Sequence, residues 1–143
     1  MGSKDRAMRG IPRLRILAVP VGLFLATAAM SPQMAKLQPL AIPLKCPQGD
    51  CPLLDGVPQT TGMRSGFVRL KPGETVGWHT TGHNEEALVI LRGEGAVLIE
   101  GQPKRAFVAP ALAYIPPATR HNVQNIGKEL LEYVYVVAPA KSQ

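Results

Sequence analysis

The chain has 143 residues and a formal net charge of +6, but residues 1–28 alone carry five Lys/Arg and one Asp, which leaves 11 basic against 9 acidic residues, a net of +2, for the rest. With so little positive charge outside that segment, scattered and with few aromatics around it, a nucleic-acid-binding surface is excluded. The length suits one compact domain with a single hydrophobic core, not two.

The first element in chain order is a basic flank, Lys4, Arg6, Arg9, Arg13 and Arg15, ahead of the apolar run ILAVPVGLFLATAAM from Ile16 to Met30. This is the layout of a secretory signal: the run falls short of the ~20 residues that cross a bilayer as a helix, and Ala26-Thr27-Ala28 offers a small-x-small cleavage site. Residues 1–28 are expected to act as a signal peptide or, if uncleaved, as an N-terminal anchor. Either way the remainder is expected to be exported, periplasmic or secreted, with no other membrane partner. A buried core helix is the competing reading.

Residues 29–61 are rich in Pro, Gln and Leu, without a sustained helical or strand period, and read as an extended arm or linker, ordered where it packs on the domain. Within it, KCPQGDCP holds both cysteines, Cys46 and Cys51. An even count at close spacing in an exported chain points to a disulfide, while metal ligation and a redox pair remain alternatives.

From residue 62 onward the pattern becomes short strands and turns. GFVRLK alternates Val68 and Leu70 with Arg69 and Lys71; ALVIL, AVLIE, KRAFV and LAYI follow, punctuated by glycine and proline; LLEYVYVVAP, from Leu130 to Pro139, is β-branched and aromatic. Seven or eight such strands without a helix predict an all-β sandwich or small barrel over residues 62–143. The near-continuous apolar runs in the middle predict burial on both faces.

The chemistry concentrates in GWHTTGHNEEALVILRGEG, Gly77 to Gly95. His79 and His83 have the i, i+4 spacing of a zinc-binding helix, but Thr80, Thr81 and Gly82 between them are poor helix formers and no glutamate follows the first histidine. The segment therefore reads as a strand end, a glycine turn and a new strand beginning near Glu85. Strand parity puts Glu86, Leu88 and Ile90 on one face and Glu85, Ala87 and Val89 on the other. An inward-facing Glu86 requires a cation or proton donor beside it, because a buried unpaired carboxylate is costly.

These residues resemble the cupins, double-stranded β-helix (jelly-roll) barrels whose first motif is G-x5-H-x-H-x3,4-E-x6-G. Gly73, His79, Glu86 and Gly93 match it, with Thr81 at the second histidine position. The second motif, G-x5-P-x-G-x2-H-x3-N, is matched by Pro116, His121 and Asn125, with Pro110 and Ala118 at its glycine positions. The resemblance covers residues 63 to 138. It implies one divalent metal ion inside the barrel, held by His79, Glu86 and His121; two histidines and a carboxylate suit Fe or Mn, with Zn, Ni or Cu also admitted.

His83 is the candidate substitute for the missing second histidine. Four extended residues span about 13 Å, so it reaches the same ion only if the chain folds back at Gly82; otherwise it is a loop or rim histidine. Thr81 points inward on this reading. Asn125 shares the face of His121 and is expected to hydrogen-bond turn backbone behind the pocket, while Trp78 and Tyr114 either line the mouth of the pocket or pack in the core. Three functions stay open: a metal-dependent small-molecule oxygenase or isomerase, with Glu86 or His83 assisting proton transfer; a non-catalytic sensor or binding module for a metal or small polar ligand; and a metal-free structural barrel, which Thr81 favours. A homodimer is expected by analogy with the family.

Overall fold

The computed structural model describes residues 36–141, and the expected signal or anchor segment lies outside them. Nine strands and no helix make up the described residues: β1 Gly49–Asp55, β2 Arg64–Leu70, β3 His79–Thr80, β4 Asn84–Arg92, β5 Glu94–Ile99, β6 Arg105–Val108, β7 Ala111–Ile115, β8 Arg120–Asn125 and β9 Leu131–Pro139. They form two antiparallel sheets, one in the order β1-β2-β9-β4-β7 and the other β3-β8-β5-β6. This is the all-β architecture expected from the strand pattern, in the two-sheet form that the cupin resemblance implies.

The alternation visible in the sequence becomes the two faces of each sheet. Val68 and Leu70 of β2, Leu88 and Ile90 of β4, Ile115 of β7, and Leu131 and Tyr133 of β9 point inward, where they meet Val97 of β5 and Val123 of β8 from the second sheet. Burial of one such Leu or Ile side chain stabilises the fold by about 1.5–3 kcal/mol, so this two-sheet cluster is what holds the barrel closed. Gly93, the last glycine of the first motif, joins β4 to β5 with φ 87, and a Cβ there would collide with the Leu130 carbonyl oxygen. Both the backbone conformation and the close approach require glycine.

Two expectations change. The outer face of β4 and β7 is not covered by any described residue: Val89 and Leu91 are well exposed, and Leu112, paired with Val89, is 71% exposed. The apolar runs are therefore buried on the barrel side alone, because the described chain supplies no layer outside this sheet. The stretch read as an arm also contributes a strand, β1, which pairs along β2 from Gly49↔Arg69 to Asp55↔Arg64. The Cys46–Cys51 disulfide forms at its start, with a Cα–Cα distance of 5.6 Å. Arg69 anchors that loop by donating from Nη1 to the carbonyls of Cys46 and Pro47 at 2.9 and 3.2 Å. A disulfide is compatible with an oxidising, exported compartment.

Candidate metal centre

Three ligand residues reach one point from three strands. The register of β3 against β8 sets His79 directly opposite His121, and cross-strand partners project to the same side of a sheet. Glu86 faces them from β4 in the other sheet, on the inward face it shares with Leu88 and Ile90. One ligand atom from each of His79, Glu86 and His121 lies within 4.8 Å of the others, and the two imidazole rings meet edge-on with centroids 4.2 Å apart.

Hydrogen bonding fixes which nitrogens face the centre. His79 Nδ1 lies 2.9 Å from the Gly77 carbonyl and His121 Nδ1 lies 3.3 Å from the Thr119 carbonyl. A carbonyl only accepts, so Nδ1 carries a proton in both rings and Nε2 is the nitrogen turned to the site; this backbone support is typical of metal-ligating histidines. His121 Nε2 is fully buried and has no hydrogen-bond partner. It lies 3.3 Å from Glu86 Oε2, without hydrogen-bond geometry, and Glu86 itself is only 7% exposed. A buried nitrogen left without a hydrogen-bond partner beside a buried carboxylate is costly unless a cation joins the two. The residues present therefore fit a divalent metal ion.

Thr81, at the motif's second histidine position, is 5% exposed and its hydroxyl is committed elsewhere. Oγ1 donates to the Pro116 carbonyl at 2.9 Å and accepts from the Thr119 backbone N–H at 3.1 Å. Two backbone bonds, Thr81 N–H to Thr119 O and Ala118 N–H to Gly82 O, run beside them. The turn after His79 and the turn before His121 are thus stapled together by Thr81, so the residue replaces a ligand with a positioning device.

The sequence profile of the family described as "Cupin domain" matches residues 66–137. The chain is a cupin. It is 32% identical over 87 residues to "Polyketide synthase CurC" of Streptomyces cyaneus, an alignment that covers 57% of this chain and 54% of that one. The chain therefore spans about half the length of that curated relative. Among solved structures it resembles an RmlC-like cupin with a double-stranded β-helix fold from Methanocaldococcus jannaschii, at 22% identity with a TM-score of 0.57, covering 71% of this chain and 91% of that one. It also resembles a Cupin 2 conserved barrel domain protein from Salinispora arenicola, at 24% identity with a TM-score of 0.55, covering 74% and 90%. At these identities the structural likenesses speak for the fold alone.

Within this cupin barrel, a cavity of about 400 Å³ opens beside the three ligand residues. Trp78 lies at its wall, 46% exposed, with the Arg120 guanidinium 5.4 Å above its ring. His83 is exposed in the β3–β4 turn and stands apart from the His79, Glu86 and His121 group, its carbonyl accepting from Ala140 N–H. Tyr114 is on the outer face of β7, where its hydroxyl donates to Glu85 at 3.1 Å, and so does not line the mouth. Strand parity accounts for this, since Tyr114 pairs with outward Ala87. Asn125 is fully buried and braces turn backbone, donating to Leu70 and Glu129 carbonyls and accepting from Gly127 N–H.

The cavity also holds polar residues that the sequence pattern did not flag. Asp50 of β1, Arg64 of β2 and Tyr135 of β9 all line it. Parity along LLEYVYVVAP would have aimed Tyr135 inward, two residues from Tyr133; Asp50 had no such cue, because β1 shows no strand period. Partial burial and the neighbouring Glu86 raise the Asp50 carboxyl above its ordinary value, although Tyr135 and His79 oppose the shift. Burial, with the Glu86 and Asp50 charges behind it, pushes the Tyr133 phenol far up, so that it stays neutral.

Proposed function

We propose that this cupin is an exported protein that binds one divalent metal on His79, Glu86 and His121 and takes a small polar ligand in the adjoining cavity. The observation that supports this reading is the buried, unpartnered Nε2 of His121 turned toward the Glu86 carboxylate. A metal held there supplies Lewis acidity at the positions its protein ligands leave open, and a set of two histidines and one carboxylate suits Fe(II) or Mn(II). The chain's own contributions are to fix the Nε2 lone pairs through the Gly77 and Thr119 carbonyls, to exclude bulk water with Val68, Val123 and Tyr133, and to receive the ligand between Trp78 and the inner wall.

This arrangement favours small-molecule oxygenase or isomerase chemistry over a purely structural barrel, because a metal-free structural barrel has no use for an unsatisfied buried imidazole nitrogen. The direct test is oxygen uptake and product analysis of the Fe(II)- or Mn(II)-loaded chain with thiol, phenol and dicarbonyl substrates. Turnover that is lost in His121→Ala supports the enzyme. Saturable ligand binding without turnover in any substrate class contradicts it and identifies a binding module.

A further inference from the structure

The cavity has a second polar pole, on β1 and β9. Asp50 pairs with Val68 across β1 and β2 and so faces the barrel side, where it lines the cavity with its side chain open to solvent. The neighbouring pair on the same strands is Pro52 with Gly66, and Gly66 in turn pairs with Tyr135 of β9. A Cβ at Gly66 would come within 2.6 Å of the Tyr135 hydroxyl oxygen. The Tyr135 ring therefore lies across the bare backbone of Gly66 and carries its hydroxyl from β9 over β2 toward β1, on the cavity wall that Asp50 shares. Any larger residue at position 66 would block that path.

The segment bearing Asp50 is built to hold it in place. Asp50 is enclosed in the loop that the Cys46–Cys51 bridge closes, immediately before Cys51. Arg69 binds the loop's carbonyls from one side, and Gln48 Nε2 donates to Glu74 at 3.1 Å on the other. Asp50 lines the same cavity as His79 and Glu86 without belonging to the set of three that could hold an ion.

We infer that Asp50, oriented by Tyr135 and the disulfide loop, is a ligand-selecting residue that accepts a hydrogen bond from a hydroxyl at the far end of a small ligand whose oxygen-bearing head sits at the metal group. The inference rests on the proposed metal reading and deepens it by naming the ligand class: a short, oxygen-rich molecule with a metal-binding carboxylate or equivalent oxygen at one end and a hydroxyl at the other. A carboxylate has only acceptors to offer, so a matched ligand must bring the donor. The deoxy analogue leaves Asp50 facing an apolar end and is discriminated against.

The test loads the purified chain with Co(II) and follows its visible absorption during titration with paired probes: 3-hydroxypropionate, 4-hydroxybutyrate and 5-hydroxypentanoate against propionate, butyrate and pentanoate. At the length that spans the cavity, the hydroxy acid is expected to bind about tenfold more tightly than its deoxy partner, as one hydrogen bond to a charged group provides. Asp50→Ala, which removes the acceptor, should bind Co(II) with an unchanged spectrum and lose most of that preference; Tyr135→Phe should weaken it, as expected of a residue that acts through Asp50. An equal affinity for both members of every pair, or a preference that survives in Asp50→Ala, overturns the assignment while leaving the metal centre intact. Failure of the wild-type chain to bind Co(II) overturns the metal reading, and this inference with it.

Discussion

At the scale of single residues, the centre depends on neighbours that never touch a ligand atom. The Thr81 hydroxyl satisfies the Pro116 carbonyl and the Thr119 N–H at the same time. Thr81→Val keeps the shape and leaves both groups unpaired, so it should lower stability by about 1–3 kcal/mol in denaturant unfolding. The three ligand residues remain, and so should metal stoichiometry. Ala118, at a glycine position of the second motif, is an exposed non-glycine residue with φ 56, a conformation that costs an L-residue about 1–2 kcal/mol. Ala118→Gly relieves that strain, loses no packing, and pays back part of the gain in backbone entropy, for a net stabilisation of about 0.5–1 kcal/mol. An unchanged or lowered melting temperature would show that the loop before His121 is not strained.

Asp50 gives a pH dependence with a definite sign. Its folded carboxyl is raised above the ordinary 3.8 of an aspartate, chiefly by partial burial, so the folded chain holds that proton more tightly than the unfolded one. The stability this contributes is fully present below 3.8 and is lost as pH rises through the folded value. In the metal-free protein, wild type should therefore lose ground to Asp50→Asn between acid and neutral pH. Thermal melts of both across that window check it, and a difference that stays flat or reverses contradicts the assignment.

At the scale of elements, what was legible follows from periodicity. Parity sets Glu86 and Glu85 on opposite faces, the motif spacing to Gly93 picks Glu86 as the inward one, and the structure agrees, with Glu85 held by Tyr114 outside the barrel. The pairing of β3 with β8 was readable only through the two motifs, because nothing local in HTT or RHN says that strands so far apart in the chain share a register. Two elements were hidden for identifiable reasons. In β1, Pro52 and the register shift between Pro52 and Leu54 erase the alternation, so Asp50 reads as part of an arm. In β4 and β7, the apolar outer face resembles a doubly buried strand until the absence of a covering layer among the described residues is seen. Thr81 was legible as a departure from the motif, but its role as a staple between turns depends on Pro116 and Thr119, distant residues that sequence alone does not place against it.

At the scale of the whole molecule, two sheets close over one apolar cluster, and two of the three candidate ligand residues occupy the inward position next to that cluster on their strands, Glu86 beside Leu88 and His121 beside Val123, while His79 is placed by its pairing with His121. The core therefore sets the spacing of the donor atoms, and a metal that binds only the folded barrel stabilises it in proportion to the logarithm of its concentration over Kd. The most direct measurement is element-resolved metal analysis of the protein recovered from the exported fraction, run beside His121→Ala. The account predicts close to one equivalent of a single divalent transition metal in the wild type, and a loss of that metal in the variant together with the wild type's metal-dependent rise in melting temperature. A wild-type protein without stoichiometric metal, or a variant that retains it, would contradict the claim that His79, Glu86 and His121 form a metal centre.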